Sequence, residues 1–497
     1  MVNLLFAQNP ITIKLTETDG LPDVEFYDIA EDNKGFIWMA ADKGLYRFDG
    51  KDYQPYTNVN KRGLSVFGLK FDHQNQLWCN NISGQFFYLK DNKLELFLDL
   101  KNELKGELAE FILLKDKLYV FTTTLILSVD LKTKKRENLL QKSTSGSNIV
   151  RAPFLFKGSI YFAINDRIFS LKDSKIHLAV NDKITPFGVS IFPKFFKYKQ
   201  NLFLISYDNV LNHNRFFIVK NDRLSEVSFS KKLESNRIIA VSEQDDFLWF
   251  CTSAGIVKIK VESNRFTVDD DFLKDDFITK IISDSNKTLW ISTLNNGIYI
   301  IPTLHIKTYS NTVDNDNIST VEKINDTKIA VGTTKGNLFI VDLLNNQKEE
   351  IEISKKRKVS KLLYLKEKNI LLISTENSSY TYNLNTKKIT ELNSFLNAKD
   401  LHRINNSNQF IYCSFDRASV LKFENNNITF VRKLNANRAY RSYYDKKSKQ
   451  IYVSHVDDLI LYENDSSYKS LKYKNRNIIA KDICQTANGT IWIATFN

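Results

Sequence analysis

The chain has 497 residues, 42% hydrophobic and 12% aromatic, with a formal net charge of +13. That apolar content suffices for sizeable cores and excludes a disordered polymer, and only 16 glycines and 7 prolines exclude a collagenous or linker-like chain. No apolar run approaches the roughly 18 residues of a membrane-crossing helix, and the 70 Lys and Arg are interspersed with 57 Asp and Glu, so neither a membrane span nor a nucleic-acid face is expected.

The opening MVNLLFAQ reads equally as the tail of a secretory leader or as an ordinary first strand, and residues 1–10 are set apart on that ground. Ile11–Leu15 then stands alone as a free strand. From Val24 to Asp49 three short apolar runs alternate with two polar turns, Glu31–Gly35 and Asp42–Gly44. Runs of about 4–8 residues between Gly, Asn and Asp are strand signals, and this one is rich in aromatic and β-branched residues.

The same pattern returns down the chain. It recurs at Val66–Leu89, Phe111–Leu131, Ile149–Leu171, Ile191–Val219, Arg237–Val261 and Phe277–Pro302. Trp38 to Trp78 is 40 residues and Trp249 to Trp290 is 41. A period near 40 with three to four strands per unit predicts β-propeller blades. The tryptophan falls in the second strand, where a flat ring fills the wedge between blades. Tyr119, Tyr161 and Phe203 take that place in the three blades without one.

Seven blades, with Ile11–Leu15 ahead of the first supplying the outer strand of the seventh, predict a closed ring over residues 11–303, because the free strand removes an open sheet edge. The repeat resumes at Ile318, Val359, Leu401, Tyr440 and Ile478. Residues 304–497 therefore read as a second propeller of about five blades, with the chain ending inside a blade and Leu304–Tyr309 as a waiting closing strand. The fold class is all-β, as tandem propellers.

Chemistry-bearing motifs are sparse. The cysteines Cys79, Cys251, Cys413 and Cys484 lack CxxC spacing and read as buried free thiols. The six histidines are dispersed; His73 sits in a turn and His455 beside Asp457–Asp458. Nucleotide-loop, zincin and serine-hydrolase signatures do not occur. Asp284–Trp290 resembles a weak sialidase-type Asp-box, a structural turn. The cluster Lys355–Lys358 reads as a solvated loop. No catalytic residue, metal site or cofactor is expected.

The stretch Asp19–Gly50, with the words DGLP, IAEDNKGFIWMA and GLYRFDG, resembles the two-component regulator propeller repeat. The resemblance extends over nearly the whole chain and is sharp in blades one, two, six, seven and twelve. It implies the extracytoplasmic, periplasmic sensor region of hybrid two-component and related regulators. In that family two seven-bladed propellers in tandem precede a β-sandwich, a membrane helix and a cytoplasmic output domain, and the full-length form can pair as a homodimer. The parts after the propellers have no counterpart in these residues, so this chain is expected to bind a ligand and to lack kinase output of its own.

The expected ligand is an oligosaccharide, and the basic balance favours an acidic one such as a sulfated or uronate-bearing glycan. A propeller enzyme acting on polysaccharide and a protein-interaction scaffold are the competing classes. Function concentrates in loops at one propeller face. The loops after the second strands give the candidates Asp42, Lys43, Asn80, Asn81, Thr252, Ser253, Asn295, Asn296, Thr334 and Lys335. Asn, Asp and Lys bond sugar hydroxyls or acid groups, and they also favour tight turns on their own account.

Overall fold

The structure, a computed structural model, describes residues 10–140, 149–184, 191–208, 213–244, 246–262, 265–304, 316–344, 347–392, 394–405, 407–435, 437–464 and 467–495. Residues 1–9 and all of Leu304–Tyr309 but its first residue lie outside them. The chain divides into two compact units, Asn9–Thr308 and Tyr309–Asn497. Among the described residues both are built from small antiparallel sheets.

The first unit holds seven four-stranded sheets, each an up-and-down meander. Their first strands are Phe26–Glu31, Phe67–Phe71, Glu110–Leu114, Val150–Phe156, Ile191–Tyr198, Ile238–Gln244 and Ile278–Ser283. The seventh sheet takes its fourth strand from the other end of the unit, Ile13–Leu15 pairing antiparallel with Ile298–Ile300. Each first strand contacts the first strand of the next sheet, and that of the seventh contacts that of the first.

The second-strand aromatics form the cores between sheets. Trp38 packs with Val66, Leu69 and Leu77 of the second sheet, and Trp78 with Phe111 and Leu118 of the third. Trp249 meets Ile278 and Ile281 of the seventh, and Trp290 meets Phe26, Ile29 and Met39 of the first. A buried indole is worth about 4–6 kcal/mol of transfer free energy before entropy is charged against it. Three of these indoles are also aimed. The Nε1–H groups of Trp38, Trp78 and Trp290 donate to Asp32, Asp72 and Asp284 at 2.8, 3.0 and 3.0 Å. The other oxygen of each carboxylate accepts two backbone N–H groups of its turn. One aspartate therefore ties the first hairpin to the wedge.

Most first hairpins carry a register shift on the first strand. Tyr27, Ile239 and Thr279 are the extra residues in the first, sixth and seventh sheets. Such a bulge re-aims the residue that follows it, here Asp28, Ala240 and Lys280.

The second unit holds five sheets among the described residues, with first strands Ile318–Lys323, Val359–Leu365, Asp400–Arg403, Ala439–Asp445 and Ala480–Gln485. The fifth has two strands, and here two expectations of burial fail. Trp492 is 61% exposed and Cys484 is exposed. The two are register partners, so they share a face. Alternation turns Ile483 and Ala480 onto the core with Leu459 and turns Cys484 and Trp492 away from it. Cys79, Cys251 and Cys413 are buried free thiols, and burial pushes the first two up to about 12.

Candidate functional site

The second-to-third-strand hairpins and the connections entering each first strand share one end of the first unit. Backbone bonds join them: Val66 N–H to Ala41 O, Val150 N–H to Thr123 O, Ser253 N–H to Arg237 O and Leu294 N–H to Phe277 O, all at 2.8–3.0 Å. Eight of the ten loop residues singled out by the sequence lie at this end, and the structure shows what occupies each.

Asp42 accepts from Ser65 Oγ at 2.7 Å and Tyr27 OH at 3.2 Å. Lys43 N–H donates to Asp23 at 2.6 Å, while its ammonium lies exposed 3.7 Å from Glu17 and Asp23. Asn80 and Asn81 are buried; Asn80 Nδ2 donates to Ala109 O, and Asn81 bonds Arg62 O and Gln85. Buried Thr252 closes its own hairpin through Gly255 O at 2.8 Å. Asn296 bonds Asp276 and accepts from Lys14, and Asn295 is exposed. Thr334 and Lys335 belong to the second unit, where the Thr334 hydroxyl and the Lys335 N–H both donate to Asp316. Among the described residues, no hydrogen bond or ion pair joins one of the first-unit hairpins to another. Lys43 and Asn295 are exposed, and Ser253 is half-buried.

The sequence reading missed a second set, on the first strands themselves. Register defines an equivalent position: the first-strand residue opposite the one two places beyond the aromatic. It is occupied by Asp28, Glu110, Arg151, Lys194, Ala240 and Lys280 in the first, third, fourth, fifth, sixth and seventh sheets. Lys280 pairs with Asp28 at 2.5 Å across the junction of the seventh and first sheets, and Asp28 also accepts Leu69 N–H of the second sheet at 2.8 Å. The other charges act on one another over longer separations. Enclosure by the surrounding strands pushes the Glu110 carboxyl up against the pull of Lys194 and Lys70. The same enclosure pulls the Lys194 ammonium down; Glu110 opposes this, and Arg237 and Lys70 add to it. Residues from the second, third, fifth and sixth sheets thus share one electrostatic space, although up to 167 positions separate them in the chain. Among the described residues, Lys70, Lys194 and Arg237 form no ion pair. Phe192, 39% exposed, lies under two guanidinium groups, Arg151 at 4.6 Å and Arg237 at 5.6 Å from its ring centre.

The equivalent positions of the second unit carry Lys361, Asp400, Arg441 and Asp482 on successive sheets. They alternate in sign and pair in sequence: Lys361–Asp400 at 3.6 Å, Asp400–Arg441 at 3.5 Å and Arg441–Asp482 at 3.6 Å. Asp400 also accepts Ser442 N–H at 2.8 Å, as Glu322 accepts Tyr364 N–H at 2.9 Å.

Other candidates carry less. His73 is exposed in its turn. His455 is buried with neither ring nitrogen hydrogen-bonded, and burial holds its imidazole below the ordinary value. Among the described residues no group of His, Cys, Asp and Glu is placed to hold a metal, and no helix is long and apolar enough to cross a membrane. In the Lys355–Lys358 cluster, Lys355 pairs with Glu391 and Lys356 with Glu350.

Residues 472–497 match the family model described as two component regulator propeller. The chain carries that repeat and resembles that family. Its fold is similar to that of the extracellular domain of BT3049 from B. thetaiotaomicron, assigned to a hybrid two component system. The two share 18% identity and a TM-score of 0.63, over 98% of this chain and 76% of the other. Weaker likenesses are to the extracellular domain of BT4673 from B. thetaiotaomicron, assigned to a one component system, and to virginiamycin B lyase from Staphylococcus aureus. The former has 11% identity and a TM-score of 0.46 over 99% of this chain and 71% of that one. The latter has 13% and 0.46 over 58% and 97%. No curated protein sequence matches the chain.

Proposed function

We propose that the chain is the ligand-sensing propeller region of an extracytoplasmic, periplasmic regulator of the two-component type. In this reading residues 11–303 close as a seven-bladed propeller and residues 304–497 form part of a second one. The cyclic contact of the first strands and the pairing of Ile13–Leu15 with Ile298–Ile300 support the ring. The observation that carries the functional reading is likeness over nearly the full length to the extracellular domain of BT3049, together with the repeat at 472–497.

The ligand in this reading is an oligosaccharide met at the hairpin end of the first unit, where Lys43 and Asn295 are exposed and Ser253 is half-buried. Binding would act by favouring one arrangement of the protein over another, and only a difference in affinity between arrangements can transmit a signal. The test is titration calorimetry of the chain against defined neutral and acidic oligosaccharides, with product analysis of the same mixtures. Saturable binding without turnover supports the reading. Turnover of a polysaccharide moves the protein to the enzymes, and failure to bind any member removes the glycan.

A further inference from the structure

The first strands of the first unit bring cations of neighbouring sheets together beside Phe192. Arg151 and Lys194 occupy equivalent positions on adjacent sheets. Arg237 opens the next first strand, and its carbonyl accepts the Ser253 N–H at the hairpin end. Lys194 and Arg237 have no carboxylate within ion-pair distance among the described residues. Elsewhere such charges are neutralised: Lys280 by Asp28, Lys361 and Arg441 by Asp400.

Phe192 sits among them with an accessible ring and a guanidinium group on each of two neighbouring sheets directed at it. A half-exposed aromatic face accepts the C–H face of a sugar ring by apolar contact. Arginine side chains stacked on an aromatic present their N–H edges outward, in the fork that matches a carboxylate or a sulfate. Glu110, on the third sheet, can accept hydroxyl hydrogens. Its own charge offsets only part of the surrounding positive charge.

We propose that Arg151, Lys194 and Arg237, grouped around Phe192, bind an anionic sugar, a pyranose bearing a carboxylate or a sulfate, with its ring on Phe192 and its acid group on the three cations. The inference rests on the sensing reading and names the ligand class and the seat. Enclosure that disfavours the Lys194 ammonium supports it, since an arriving anion would favour the charged form as Glu110 does. Attraction of this kind weakens with added salt.

The test uses the chain with three probes: a galacturonate trisaccharide, a heparin-derived sulfated disaccharide and neutral cellotriose, with inorganic sulfate as control. Binding of an acidic probe, weakening as salt rises, with cellotriose and sulfate at least tenfold weaker, is expected. Arg237→Gln and Lys194→Met should each lower acidic-probe affinity about tenfold, Phe192→Ala several-fold, and Lys194→Arg should retain it. Arg237 is exposed, so R237Q carries the test if another variant misfolds. Acidic binding unchanged in R237Q and K194M overturns this seat and leaves the sensing reading standing, as does binding of cellotriose alone. Sulfate binding as tightly as the sugars reduces the seat to a bare anion site and overturns the sugar assignment. Failure of every sugar to bind removes this seat and leaves the sensing reading to the wider oligosaccharide titration above.

Discussion

The two units place charge at the same backbone position and use it differently. In the second unit Lys361, Asp400, Arg441 and Asp482 alternate, and each contact joins one sheet to the next. In the first unit Arg151 and Lys194 take that position on successive sheets, and among the described residues Asp28–Lys280 is an ion pair between two such positions. A neutral, internally bonded row holds sheets together. A row of like charges destabilises its surroundings unless something else supplies the counter-charge.

The largest test of this contrast is Asp400→Ala. It leaves Ser442 N–H, Lys361 and Arg441 without their shared acceptor, and should cost the second unit about 3 kcal/mol in denaturant unfolding. A loss below about 1 kcal/mol would mean that the row is ornamental.

The next effect concerns pH. Enclosure pushes the Glu322 carboxyl up to about 7, above the roughly 4.3 of an unfolded chain. Between those values the folded state binds more protons than the unfolded one, so stability falls as pH rises through that window and is flat above it. Glu322→Gln should abolish the slope and stabilise the second unit by about 2 kcal/mol at pH 8, after allowance for partial solvation. A melting temperature that does not respond to pH in the wild type would contradict the assignment.

Smaller changes sharpen the first-unit side. Asp28→Asn should cost about 1 kcal/mol while raising affinity for an acidic sugar about threefold, because Lys280 loses its partner; calorimetry and denaturant melts read the two together. Lys194→Met should change stability by no more than about 0.5 kcal/mol, and upward, because it relieves repulsion. A large loss would show that Lys194 is a structural residue.

The alternating runs and Gly/Asp turns of Val24–Asp49 were enough to read sheets of about forty residues, and Trp38, Trp78, Trp249 and Trp290 fill inter-sheet cores as their spacing implies. The indole-to-carboxylate bonds were half legible. The turns at Glu31–Gly35, around His73 and at Asp284 could be recognised, but the bond from each aspartate to its indole required coordinates. The loop candidates illustrate a conflict between two roles of one chemistry, since Asn80, Asn81 and Thr252 spend their polar atoms on the turns that attracted attention to them. The charged set was not legible. Arg151, Lys194 and Arg237 lie far apart in sequence, and the register shift between Arg151 and Phe154 defeats simple alternation. Trp492 and Cys484 were misread because burial of a strand face depends on what lies against it, which periodicity alone does not report.

The bulge in the first strands has an evolutionary consequence. The extra residue at Tyr27, Ile239 or Thr279 separates the inward-facing side chain after it from the hydrophobic alternation of the sheet. Asp28, Ala240 and Lys280 differ in charge and size on nearly identical hairpins. Mutation at such places can change charge and size without asking the sheet to repack, so one repeated hairpin can carry different chemistry at the same position.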